Sequence, residues 1–409
     1  VTHRIPPRRE TSRRRTAGSG ARRVKFPGPS PSAPQRESDR SPAALLHLED
    51  GVARFASGDL DGAIAAWERA IAADEALAHA WSNLGRAKER AGHHDQAAAS
   101  FRRAVELEGD DHEAWLQLGN SEDSRGDALA AVEAYRRAVT IKPDFAEAWN
   151  NLGNAWVHLG RQDDAIAAYE QATDLAPDAF ECWFNLGTVR ADRGEFEAAK
   201  ACFVRSLELE PISPQAWFNL GFSHDGLREP YAAAEAYRRA AELDPYEYEI
   251  WYNLGNACAE LGRLDEAARA FRTALARHDS DPEVWNNLGN ALLESGDRAE
   301  AIKCFRRALA IEPSYDLSWN NLGNALEDED RLEEATEAYA KAVELAPDRS
   351  TYRLNLASAL ARTGRLELAL RHLSRAVTLA PGIRGLLSGF AEFTPILSDP
   401  RFSEDGGSR

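Results

Sequence analysis

Three kinds of residue in this chain are spaced as though for chemistry. His93, His94 and Asp95 stand in a row, and imidazole and carboxylate are metal ligands. No further ligand follows at a matching spacing, so the trio reads as a solvated turn and no metal or other cofactor is expected. His158 and His224 have no nucleophile placed beside them by any pattern. The four cysteines, Cys182, Cys202, Cys258 and Cys304, include no C-x-x-C; they read as buried free thiols, which suits a reducing, cytoplasmic setting. The third kind is the amide. Asn83, Asn151, Asn185, Asn219, Asn253, Asn287, Asn321 and Asn355 all fall on one phase of a single sequence period. A carboxamide both donates and accepts hydrogen bonds, so a row of them could hold a peptide backbone whatever its side chains.

The elements that must carry this row are set by the same period. Trp81, Trp115, Trp149, Trp183, Trp217, Trp251, Trp285 and Trp319 are evenly spaced along the chain, without one slip. A fixed period of this size signals stacked structural repeats. Counting each Trp as position 4 gives ten repeats, starting at 44, 78, 112, 146, 180, 214, 248, 282, 316 and 350. Position 8 is Gly in nine of them, position 20 is Ala in all ten, and position 24 is large throughout. Positions 4, 7, 8 and 11 lie on one face of a first helix, and 20, 24 and 27 on one face of a second. Gly at 8 and Ala at 20 let two backbones approach closely, with the Trp and the aromatic at 24 filling the space around them. Gly at position 15, in eight repeats, suits the turn between helices, and Pro at 32, in seven, ends the second helix. A lone helical hairpin of this kind cannot bury its apolar face, so neighbours must stack.

W-x-x-L-G followed by Ala, an aromatic, Ala and Pro at this period resembles the tetratricopeptide repeat family over residues 44–383. The resemblance implies an all-α, right-handed superhelical solenoid of helix-turn-helix repeats, acting as a non-enzymatic protein-interaction scaffold. The ends depart from the pattern. His47, Asp50 and Arg54 interrupt the expected stripe of the first repeat, which puts its first helix in doubt, and Arg353 replaces Trp in the tenth. Atypical end repeats are expected where a face meets water.

On a helical wheel, positions 2, 6, 9 and 13 of the first helix fall opposite its core stripe. In a curved stack this face of every first helix lines the inner surface. Position 6 carries the eight asparagines given above, and position 9 adds Asn120, Asn154, Asn256, Asn290 and Asn324. The expectation is a ladder outside the core that binds an extended peptide. Phe184, Phe218 and Tyr252 at position 5, with Phe222 at position 9, would add an apolar contact stripe. The row is similar to the inner surface of the repeat region in O-linked N-acetylglucosamine transferases. Only the short stretch 384–409 follows the last repeat, so the transferase activity is not expected here. The runner-up reading is a substrate-recruiting subunit for a glycosyltransferase on another chain.

Charge restricts the partner. Positions 2, 5, 9, 12 and 13 hold thirteen acids against three Arg, and no position-5 residue is basic. A protein or peptide of basic or neutral character is therefore expected, and nucleic acid on the repeats is not. Residues 1–43 carry net +8 within a chain of net −17; rich in Arg, Pro and Ser, they read as a disordered basic tail that could contact anionic surfaces. Residues 384–409 read as a capping segment, with Phe390, Phe393, Ile396, Leu397 and Phe402 covering the last repeat, and a frayed end. No apolar run is long enough to cross a bilayer, so no membrane span is expected.

Overall fold

The computed structural model describes residues 41–399 and 401–402; the expected tail, through residue 40, and the expected frayed end from 403 lie outside them. The described residues are all-α: twenty helices run from Pro42–Ser57 to Leu366–Leu379, two per repeat. Two compact units divide them, one over 41–227 and the other over 228–402. Within each unit a first helix packs on the second helix of its repeat, that second helix packs on the next first helix, and successive first helices also touch.

The repeat positions explain these helices. The first helices of repeats 2 to 10 begin at Ala78, His112, Ala146, Phe180, Pro214, Tyr248, Pro282, Asp316 and Ser350. Local caps support several starts. Asp111 accepts from the backbone N–H of Glu113 and Ala114, and Pro occupies the first turn at Pro214, Pro230 and Pro282. At position 15 all ten residues have a left-handed backbone. Gly fills eight of these sites, and Arg228 (φ 58°) and Asp330 (φ 59°) fill the other two.

In repeats 1 to 5 and 7 to 9, the space beside position 8 belongs to a ring, not to the facing backbone. A Cβ added at Gly153 would stand 2.5 Å from Tyr169 Cε1, and one at Gly289 would stand 2.6 Å from Phe305 Cε1. All ten position-20 alanines are fully buried. The tryptophans join one repeat to the next. The indole N–H of Trp149 donates to the Pro143 carbonyl at 2.8 Å, and Trp183, Trp251 and Trp319 repeat the bond six residues back to Pro177, Pro245 and Pro313. In the tenth repeat Arg353 Nε makes the same bond, to the Pro347 carbonyl at 2.7 Å.

The doubt about the first repeat is corrected: Pro42–Ser57 is a helix. Its buried stripe is rotated by about one residue, so that Ala44, Leu48, Gly51 and Phe55 carry the packing instead of His47, Asp50 and Arg54. Trp67 fills the space, its Nε1 donating to the Leu48 carbonyl at 3.2 Å and its ring lying 5.6 Å from Phe55. Arg54 pairs instead with Asp50 at 2.9 Å and Asp59 at 3.0 Å on the exposed side. At the other end, Ile383, Leu387, Phe393, Ile396 and Phe402 are buried, in short helical turns that pack on Ser350–Arg362 and Leu366–Leu379.

Candidate functional site

The asparagine row lies where first helices of successive repeats run side by side. That placement changes the expectation that these side chains stand outside the packing. Asn151, Asn154, Asn185, Asn219, Asn253, Asn321 and Asn324 are buried, while Asn83, Asn256, Asn287, Asn290 and Asn355 are half-buried. The reason is geometric. Position 6 of one repeat meets positions 9 and 5 of the repeat before it, so each helix covers its neighbour's amides.

These amides bond to one another. Asn151 Nδ2 donates to Asn120 Oδ1 at 3.0 Å, and Asn287 Nδ2 to Asn256 Oδ1 at 3.1 Å. Asn185 Nδ2 reaches both Asn150 Oδ1 (3.0 Å) and Asn154 Oδ1 (3.4 Å). Asn321 Nδ2 donates to Asn286 Oδ1 at 3.0 Å, and Asn355 Nδ2 to Asn320 Oδ1 at 2.9 Å. A second layer comes from position 24, where Tyr135, Tyr169 and Tyr339 donate their hydroxyls to Asn120, Asn154 and Asn324 at 2.8, 2.6 and 2.8 Å. Buried polar atoms require such partners, since one left unmatched costs about 1–3 kcal/mol. The row is thus part of what joins repeats. The position-5 asparagines, Asn150, Asn286 and Asn320, were missed as partners; the doublet N-N after each of their tryptophans was the available signal.

The expected aromatic stripe is largely internal. Phe184 is buried between Phe180 (centroids 5.8 Å) and Phe203 (6.0 Å). Tyr252 is buried, stacked on Tyr248, with its hydroxyl donating to Glu283. Phe218 and Phe222 are half-buried, and Phe222 packs edge-on against Phe196 at 6.0 Å.

Charged groups at the flanking positions are partly paired. Arg86 bonds Glu113 at 3.2 Å, His158 bonds Asp123 at 3.0 Å, and Arg362 bonds Glu327 at 2.6 Å. Glu147 makes no hydrogen bond or ion pair among the described residues; burial, and then the charge of Glu113, push its carboxyl up to about 7. His94 contacts Glu89 at 3.1 Å, and the described residues contain no group of three His, Cys, Asp or Glu side chains able to hold a metal ion. The four cysteines are buried free thiols. Burial pushes Cys182 and Cys304 up to about 12, away from the thiolate form that reacts. No helix among the described residues is long and apolar enough to cross a membrane.

Comparison with known proteins places this geometry among repeat proteins. The family model described as cilia and flagella-associated protein 70 C-terminal domain matches residues 146–346. Models of the tetratricopeptide repeat match residues 82–144, 315–381 and 51–92. Among solved structures, the MamA protein is 27% identical over 41% of this chain and 92% of its own, with a TM-score of 0.40. YrrB, described as a TPR protein with an unusual peptide-binding site, is 24% identical over 46% of this chain and 97% of its own, with a TM-score of 0.44. The APC/C hetero-tetramer Cut9-Hcn1 is 14% identical over 85% of this chain and 96% of that one, with a TM-score of 0.43. No curated protein matches the chain.

Proposed function

Because the chain belongs to the tetratricopeptide repeat family, we propose that it is a non-enzymatic scaffold whose asparagine row holds an extended segment of a protein partner. The observation that carries this reading is the recurrence of amides at positions 6 and 9. The half-buried members of the row, Asn83, Asn287, Asn290 and Asn355, keep hydrogen-bonding capacity toward the surface. Adjacent helices pack about 8–10 Å apart and an extended chain advances about 3.3 Å per residue, so one amide meets roughly every third residue of the partner. Main-chain groups are the natural target, because they recur whatever the partner's side chains.

The thirteen acids and three Arg around the row favour a basic or neutral segment and disfavour nucleic acid on the repeats. The buried thiols fit a reducing, cytoplasmic setting. No cofactor is required for such binding. The reading is tested by affinity capture with the full chain, identification of the partner by mass spectrometry, and amide hydrogen exchange on the complex. Protection concentrated in the first helices is expected; protection confined to the second helices would overturn the assignment of the binding face.

A further inference from the structure

Position 11 of the first helix belongs to the core stripe, yet three repeats of the 41–227 unit carry a charge there: Lys88, Glu122 and Arg190. Each is met by an opposite charge from position 25 of the repeat before it. Lys88 Nζ lies 3.7 Å from Glu68, Arg102 pairs with Glu122, and Arg190 Nη2 stands 2.5 Å from Glu170. The position-11 side chains are 14, 2 and 22% exposed, against 55, 52 and 47% for their partners. Each pair thus ties a largely desolvated charge of one repeat to a surface charge of its predecessor. Such a charge left without its partner is strongly destabilising. The sign at position 11 runs positive, negative, positive. In the 228–402 unit, position 11 is apolar instead, and Leu292, Leu326 and Leu360 are buried. Arg272 and Arg306 stand at position 25 before the first two, and Arg306 lines one groove with Leu326.

We propose that the three ion pairs are a register key, which rejects slipped stacking of repeats in the 41–227 unit. An array of near-identical modules is open to slips in which one repeat is looped out and its neighbours close on each other. Looping out repeat 2 would set Glu68 against Glu122, and looping out repeat 4 would set Arg136 against Arg190. Either slip brings like charges together with one of them buried, so repulsion adds to the loss of the proper partner. Glu122 keeps Arg125 of its own repeat at 2.6 Å, which makes the slip at repeat 4 the more costly. Loss of repeat 3 is not screened by the key, since it sets Arg102 opposite Trp156, as Arg136 is in the native order. The 228–402 unit has no such key. Looping out repeat 7, 8 or 9 would set Arg238 on Leu292, Arg272 on Leu326 or Arg306 on Leu360. Each repeats the Arg–Leu pairing of the native order, so position 11 there cannot tell one neighbour from another.

The test is a charge exchange in the full chain, read by amide hydrogen exchange in Phe180–Asp192, the first helix of repeat 5. Glu170→Arg and Arg190→Glu should each speed exchange there at least about tenfold. The two together should return it to within about threefold of the parent. A second pair of chains lacks residues 146–179, so that Arg136 is brought to Arg190. In that background Arg136→Glu should slow exchange of the same helix about tenfold. In the full chain, where Trp156 follows at position 11, Arg136→Glu should change it less than about threefold. The proposal is overturned by single exchanges that leave the helix as protected as in the parent, or by a double exchange no better than either single. An excised chain that gains nothing from Arg136→Glu overturns it equally.

Discussion

Repeats 4 and 8 share the heptapeptide WNNLGNA, and the same letters do different work in each. In repeat 4 every amide is engaged: Asn150 and Asn154 accept from Asn185, Asn151 donates to Asn120, and Tyr169 closes the set. In repeat 8 Asn286 and Asn287 are engaged, while Asn290 is not. The difference arises further down each repeat, in Tyr169 against Phe305. The phenolic oxygen is one of two ways a position-9 amide is tied in; in repeat 7, where position 24 is Phe271, Asn256 is held by Asn287 of the next repeat instead. The frame beneath is common to both repeats, since a Cβ added at the position-8 glycine would stand 2.5 Å from the ring in one and 2.6 Å in the other.

The largest expected effect attacks that common frame. Gly153→Leu and Gly289→Leu should each destabilise by about 3 kcal/mol, because the new side chain must displace a buried ring. Equal losses in chemical denaturation are expected; a much smaller loss at Gly289 would show that the two repeats are not built alike. Next, Asn154→Ala should cost about 2 kcal/mol, since it removes two bonds and strands the buried Tyr169 hydroxyl. Asn290→Ala should cost under about 0.5 kcal/mol. Similar losses for the pair in parallel melts would erase the distinction between the two repeats.

A third contrast lies at position 2. Glu283 of repeat 8 is bonded by the Tyr252 hydroxyl, whereas Glu147 of repeat 4 is unpaired and pushed up from 4.5 to about 7. The folded state therefore binds this proton more tightly than the unfolded chain does. The stability it contributes is fully present below about 4.5 and is lost as pH rises through about 7. Glu147→Gln should thus stabilise the protein by about 1–2 kcal/mol at pH 8, allowing for partial solvent screening, and leave it unchanged at pH 4. A flat difference in Tm between the two pH values would refute the assignment. The smallest effect converts one repeat toward the other. Phe305→Tyr should raise stability by about 1 kcal/mol through its new bond to Asn290, checked by denaturant midpoint.

How far the sequence foretold this molecule depends on how local each feature is. The repeat period, the helix pairs, the tight position 8 and the buried position 20 follow from residues within one repeat, and all were legible. The rotated packing of the first helix was not, because Trp67 at position 24 packs on Leu48 and Phe55, while the residues at the expected positions 4, 7 and 11 are His47, Asp50 and Arg54. The asparagines were correctly picked out as a row and wrongly set outside the packing. Their partners lie in the preceding repeat, so a wheel drawn for one helix cannot show that the next helix covers it. Phe184 and Tyr252 were misplaced for the same reason, as faces opposite the partner helix can still be buried by a neighbouring repeat.

The bond from each position-4 indole to a carbonyl six residues back has a consequence for how such a chain can change length. Its acceptor is main chain, supplied by Pro143 and Pro177 but equally by Glu75, Gly109 and Asp279, so no particular side chain has to be kept there. Arg353 shows that even the donor can be exchanged. Excising or duplicating one whole period would bring a fresh carbonyl to every surviving indole, and the new junction would be fastened from the outset. Gains and losses of entire modules are thereby tolerated at this bond, whereas a short insertion between donor and acceptor would break it.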